Sequence, residues 1–205
     1  MARDAIPYVV IPLSGAAVCL ALGWTIAAIL LLLVAGFMAY FFRDPERQVP
    51  SGENLIISPA DGKVVRVAKL DATDPTSPTR VSIFLSVFDV HINRAPITGQ
   101  ITDVAYHPGT FKAAFADDAS VVNEQSVITI QGAKTRVVFK QIAGLLARRI
   151  VFRKQVGDWV AAGERVGLIK FGSRVDVLLP PEVEISVQEG DHVTGGNSIL
   201  GRICL

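Results

Sequence analysis

Hydrophobic positions fall into two textures along this chain. Residues 6–42 contain no Asp, Glu, Lys or Arg, a run of 37 uncharged residues. The stretch 25–42 is its cleaner half, with Leu31, Leu32 and Leu33 at the centre and Tyr40, Phe41 and Phe42 at its edge. One membrane span needs about 20 residues, so the run is long for one helix and slightly short for two. Pro12, Ser14-Gly15 and Gly23-Trp24 are its weak points. The pattern predicts a transmembrane or re-entrant helical hairpin, with both ends on one side, marked by Arg3, Arg43 and Arg47. The positive-inside tendency makes that side cytoplasmic. A cleaved signal peptide fits poorly, because the run is too long and no Ala-x-Ala site closes it. Pro45 disfavours helix at Asp44 and ends the run.

After Pro50 the texture changes to short β-branched runs between Gly, Pro and Asp. The clearest are 64–67, 81–87, 127–130, 136–142, 149–152, 166–169, 175–179 and 184–187. No long helical period follows residue 50, and 71–79, with Pro75 and Pro78, reads as an exposed loop. The expectation is a hydrophobic anchor over 1–45 and one mainly β domain over 46–205.

A short pattern occurs twice in the second part. Gly157-Asp158-Trp159-Val160-Ala161-Ala162-Gly163 and Gly190-Asp191-His192-Val193-Thr194-Gly195-Gly196 share Gly-Asp-x-Val-x-x-Gly, offset by 33 residues. Each reads as a tight turn, a Val returning to the core and a second turn at Gly. Paired turns of this kind resemble those of lipoyl and biotinyl domains. They predict a compact β-sandwich or barrel with an internal lipoyl-like (hammerhead) duplication.

Composition narrows the function. The formal net charge is +1, so no strong field argues for nucleic acid. Two Cys, Cys19 and Cys204, form no C-x-x-C, and three His (His91, His107, His192) are too few for a multi-His centre, so no metal is expected. The basic group 148–154 reads first as a solvated face.

Between the two repeats lies Gly172-Ser173, where a serine follows a residue without a side chain and its hydroxyl has open access to the preceding carbonyl. Taken alone, the dipeptide is as well read as a turn. Asp61 in Ser58-Pro59-Ala60-Asp61-Gly62 sits at a turn before a strand, and His91 follows an apolar strand in Phe88-Asp89-Val90-His91-Ile92-Asn93-Arg94-Ala95-Pro96. Each has a bland reading, as a turn signal and a core histidine. Together Asp, His and Ser are the inventory of an activated serine.

Four stretches in order, Ser58-Pro59-Ala60-Asp61-Gly62, 88–96, Tyr106-His107-Pro108-Gly109 and Phe171-Gly172-Ser173-Arg174, resemble the phosphatidylserine decarboxylases in their short, membrane-anchored bacterial and archaeal form. The resemblance covers nearly the whole chain. Phe-Gly-Ser-Arg stands where the longer bacterial form has Leu-Gly-Ser-Thr, and Asn123-Glu124-Gln125 where the family has Asn-Glu-Arg. The resemblance implies self-cleavage between Gly172 and Ser173 into 1–172 and 173–205, which stay together as a heterodimer. Ser173 becomes a covalent pyruvoyl group, the cofactor, whose Schiff base with the serine head group is the electron sink for loss of CO2. It implies His91 as base and proton donor, Asp61 as its orienting partner, phosphatidylserine in the cell membrane as substrate and phosphatidylethanolamine as product. Another serine-headed lipid offers the same amine and carboxylate. The head-group contacts and any homo-oligomer stay open.

Two other readings compete. A membrane-tethered carrier or adaptor of the biotinyl or lipoyl type would use Lys170, although that Lys lacks the Met or acidic neighbours of such sites. A serine hydrolase would use Asp61, His91 and Ser173 without a Gly-x-Ser-x-Gly elbow. The carrier has no use for Asp61 and His91.

Overall fold

The computed structural model describes residues 5–52, 54–113, 119–145, 149–170 and 172–204. Arg3, Arg148 and Phe171, which figure in the expectations above, lie outside these residues. The chain divides into two compact units, 1–46 and 47–205.

The first unit is a helical hairpin. Helix α1 (Ile6–Ala21) and α2 (Thr25–Phe41) are separated at Gly23, whose φ of 75° lies in the left-handed region open to glycine. The Tyr8 and Phe42 rings stack at 5.3 Å, so the start of one helix meets the end of the other. At 16 and 17 residues, the helices are about 24 and 26 Å long at 1.5 Å per residue. Among the described residues no helix is long and apolar enough to cross a membrane. The expected hairpin is present; a full span in either arm is not.

The second unit is mainly β. Its strands are β1 (Leu55–Ile57), β2 (Gly62–Lys69), β3 (Thr79–Leu85), β4 (Ile92–Arg94), β5 (Gly99–His107), β6 (Gln125–Gln131) and β7 (Arg136–Ala143). There follow β8 (Ile150–Phe152), β9 (Trp159–Val160), β10 (Arg165–Ile169), β11 (Ser173–Leu179), β12 (Val183–Ile185), β13 (His192–Val193) and β14 (Ile199–Ile203). A single-turn helix, α3 (Ala119–Val122), precedes β6. An eight-stranded antiparallel sheet runs β13-β2-β3-β11-β7-β6-β5-β9, beside two three-stranded sheets, β1-β14-β12 and β4-β10-β8. The core is mostly aliphatic, with Ile56, Val64, Ile83, Ile101, Ile128, Ile130, Val175 and Val177 fully buried together with the aromatic Phe139.

The sheets contain two matched sets of strands. The two Gly-Asp-x-Val copies supply β9 and β13, the opposite edges of the large sheet. Gly157 and Gly190 have φ of 99° and 102°, and Gly163 and Gly196 have 81° and 77°. Gly157 N–H donates to Ile101 and Gly190 N–H to Val64, both at 2.8 Å. Strands β2 and β5 each carry a bulge one pair further on, between Val64 and Arg66 and between Ile101 and Asp103. Continuing the register, Ile83 of β3 corresponds to Ile130 of β6, and Val175 and Val177 of β11 to Val137 and Phe139 of β7. Strands β4 to β10 thus form one continuous set, placed between β3 and β11 of the other.

Several strands were not legible beforehand. Strand β5 sets Gln100, Thr102 and Asp103 among its apolar residues and breaks alternation at Thr102-Asp103, and β1, β4, β9 and β13 are two or three residues long. The run expected over 81–87 ends at Leu85, because Asp89 closes a turn there by accepting from the N–H and hydroxyl of Ser86 at 2.8 and 2.7 Å.

Candidate active site

Ser173 is the first residue of β11, between Leu85 of β3 and Ala143 of β7. It is fully buried, and its Oγ has no hydrogen-bond partner. An orphaned buried hydroxyl costs free energy, and a role in chemistry is one reason for a fold to keep it. Gly172 before it has φ of 57°, and nothing lies within 4 Å of where a Cβ would stand. Glycine is therefore required there by backbone conformation and not by crowding.

His91 is a short way along the chain from the strand neighbour of Ser173. Leu85 pairs with Ser173, the turn at Ser86–Asp89 reverses the chain, and His91 follows, just ahead of β4. The His91 carbonyl accepts from Ile169 N–H at 3.2 Å, so His91 also lies against the end of β10 that leads into Gly172. The residue is 2% exposed. Its Nδ1 lies 2.9 Å from the Asp89 carbonyl. A carbonyl only accepts, so Nδ1 carries the hydrogen and Nε2 is the basic nitrogen of the neutral ring.

Asp61 stands between β1 and β2. Its two hydrogen bonds come from Arg47 Nη2 at 2.6 Å and Gly195 N–H at 2.8 Å, and neither involves His91. Burial pushes its carboxyl above the usual carboxylate range; the Gly195 N–H and Arg47 oppose this, and the nearby Asp89 charge adds to it. The Asp89 carbonyl thus holds the His91 ring at Nδ1, and the Asp89 charge in turn acts on Asp61.

Residues outside the predicted set complete the surroundings. Arg174, pointing to the opposite face of β11 from Ser173, donates from Nε to Asp176 at 2.7 Å and from Nη2 to Ser82 at 2.7 Å. Ser120 Oγ donates to the other Asp176 oxygen at 2.5 Å. Asn123, beside Glu124-Gln125, uses its amide mostly on backbone: Nδ2 donates to the carbonyls of Lys112 and Ala143 at 2.9 and 2.8 Å, and Oδ1 accepts from Lys112 N–H at 2.9 Å and from the Thr110 hydroxyl at 3.2 Å. It braces the strand neighbour of Ser173. A buried Asn93–Gln141 pair was also unforeseen, since amides in β runs carry no sequence signal of burial. Lys170 is 7% exposed, unlike a lysine that carries a swinging prosthetic group. Lys154, from the basic group, is paired with Glu164 at 2.6 Å.

Fold and site define a β domain in which a buried serine opens a central strand behind a left-handed glycine, with a buried histidine just beyond the turn that closes the neighbouring strand. The profile of the family described as phosphatidylserine decarboxylase matches residues 34–201. The phosphatidylserine decarboxylase proenzyme of Solibacter usitatus (strain Ellin6076) is 53% identical over 196 residues, spanning 95% of this chain and 93% of its own length. That of Magnetococcus marinus (strain ATCC BAA-1437 / JCM 17883 / MC-1) is 44% identical, spanning 99% and 95%. That of Chlorobium chlorochromatii (strain CaD3) is 47% identical, spanning 87% and 84%. The chain belongs to the phosphatidylserine decarboxylase family.

Proposed function

We propose that this protein is a proenzyme that cuts itself between Gly172 and Ser173 and then decarboxylates phosphatidylserine to phosphatidylethanolamine. Family membership supports the reaction, and the observation that carries the cleavage site is the buried, unpartnered Ser173 hydroxyl behind Gly172.

In the cut, Ser173 Oγ adds to the Gly172 carbonyl carbon and gives its proton to Nε2 of His91. The C–N bond breaks, the nitrogen of residue 173 takes up the proton, and an ester joins the two residues. Removal of the Cα proton of residue 173 expels the Gly172 carboxylate. Water then replaces the nitrogen of residue 173, which leaves as ammonia, and a keto group remains. Asp61, held by Arg47 and Gly195, supplies negative charge near the imidazolium while it lasts.

The residues fit a pyruvoyl group at position 173. Strand β11 pairs on both sides, so its first residue keeps its place after the cut. When the substrate amine is joined to it, that group supplies the electron sink for losing CO2. His91 then returns a proton to the former α-carbon, and the aliphatic core keeps bulk water from it. Fragments 1–172 and 173–205 remain together: β11 lies between β3 and β7, and β14 pairs with β1.

The same reading covers the rest of the chain. The helical hairpin is a membrane anchor that enters the bilayer without a full span in either arm. Ile11, Ile26 and Leu33 on it are exposed, and uncompensated apolar surface of this kind suits lipid. Arg43 beyond α2 favours the cytoplasmic side of the cell membrane. The matched strand sets support a lipoyl-like duplication as the origin of the β domain.

Intact mass tests the function. Two fragments divided at Gly172/Ser173 are expected, the smaller resisting N-terminal sequencing and lighter than a Ser-initiated peptide by one ammonia. Ser173→Ala should stay one chain without activity. A single unmodified chain in active protein would overturn it.

A further inference from the structure

The site residues occupy only one of two matched places, with Ser173 and Asp61 drawn from one strand set and His91 from the other. By register, Ser173 corresponds to Thr135, which meets Gly132 at the β6–β7 turn as Ser173 meets Leu85. His91 corresponds to Asn54: their carbonyls accept from Ile169 at 3.2 Å and Ile203 at 2.9 Å. Asp61 corresponds to Thr98: they accept from the N–H groups of Gly195 and Ala162 at 2.8 and 3.0 Å.

Beneath Ser173 and His91 lies a buried amide pair. Gln141 Nε2 donates to Asn93 Oδ1 at 2.8 Å, and both residues are fully buried. Gln141 faces Val175 across β7 and β11, so its side chain shares the face of Ser173, two residues along. Asn93 is two residues along from His91. The bond ties the segment bearing His91 to the sheet bearing Ser173. Gly167 leaves room for it: a Cβ there would come within 3.1 Å of Gln141 Nε2. Asn93 Nδ2 and Gln141 Oε1 remain buried without partners.

In the other strand set the same two places hold Ile56 and Leu179. Ile56 faces Gly201 as Asn93 faces Gly167, and Leu179 follows Val177 as Gln141 follows Phe139. Both are fully buried in the apolar core. The architecture is thus satisfied by hydrocarbon at these positions. A half-satisfied buried amide pair is a poor way to hold two sheets together when apolar packing does so at the equivalent place.

We propose that Asn93 and Gln141 are positioning residues for self-cleavage, setting the His91 ring against the Ser173 hydroxyl. This rests on Gly172–Ser173 being the scissile bond. The test follows the full chain made by cell-free synthesis, with cleavage timed by mass spectrometry. The double variant Asn93→Ile with Gln141→Leu copies the other strand set. It should melt no lower than a Ser173→Ala precursor yet cleave at least a hundredfold more slowly than wild type. The exchange Asn93→Gln with Gln141→Asn keeps both amides and should recover cleavage to within tenfold of wild type. Its pH midpoint should be that of wild type, whereas Gln141→Met should displace it. Cleavage of the double variant within threefold of wild type overturns the proposal. If the double variant does not fold, Gln141→Met decides in the same way. Cleavage that persists in Ser173→Ala overturns the scissile-bond reading instead.

Discussion

The carbonyl of His91 accepts a hydrogen bond from the N–H of Ile169 at 3.2 Å, and through it a residue of β4's approach lies against the chain entering Gly172-Ser173. Asn54 and Ile203 make the same bond at 2.9 Å in the other strand set. The same backbone hydrogen bond therefore serves both places, with His91 in one and Asn54 in the other.

His91→Ala should abolish self-cleavage, leaving one chain by denaturing gel. His107 and His192 are exposed and lie outside the site, so their alanine variants should cleave at the wild-type rate. Loss of cleavage in either of those, with His91→Ala intact, would assign the base elsewhere.

Asp61 can be separated into an anchor and a charge. Asp61→Thr copies Thr98, which receives the matching N–H as a neutral hydroxyl, so it should fold and yet cleave about a hundredfold more slowly, the lower end for a positioned acid-base group. Burial raises the folded-state carboxyl above its unfolded value. The folded state consequently holds the proton more tightly, and Asp61's contribution is fully present below the unfolded value and is lost as pH rises through the folded one. Melting temperatures of uncleaved Ser173→Ala protein, with and without Asp61→Asn, should show wild-type Asp61 gaining relative stability as pH falls through that window. A difference that grows in the opposite direction would mean the carboxyl is held charged.

Gly172→Ala places a Cβ at φ of 57° in open space. The left-handed conformation costs an L residue about 1–2 kcal/mol, so the uncleaved Ser173→Ala background should lose about 1 kcal/mol in denaturant unfolding. In the Ser173 background, cleavage should slow as the chain relaxes from the turn. Unchanged unfolding and cleavage would show that the turn does not constrain the scissile bond.

The hairpin should keep the protein with membranes through high-salt and alkaline washes. Apolar burial does not depend on ionic strength, whereas attraction of basic residues to anionic lipid does. Release by salt alone would show that charge, not the apolar hairpin, holds the protein there.

The sequence by itself determined the two textures and the places where the chain must turn. An uncharged run with a break at Gly23 becomes two helices, β-branched runs become strands, and the Gly-Asp-x-Val copies become matching turns, because each depends on burial periodicity and on backbone freedom at one glycine. It also singled out Gly172-Ser173, Asp61 and His91 as candidates for chemistry. Tertiary structure decided which groups meet. Asp61 is claimed by Arg47 and Gly195, His91 by Asp89, and Gln141 finds Asn93 at a separation of 48 residues. It also decided that Ser173 lies at the mouth of one strand set while Thr135 holds the matching place in the other. Sheet register sets these partnerships, and register is a property of strands brought together from distant parts of the chain. A strand slipped by one residue would turn Ser173 to the other face, and nothing in the residues next to it records which face that is.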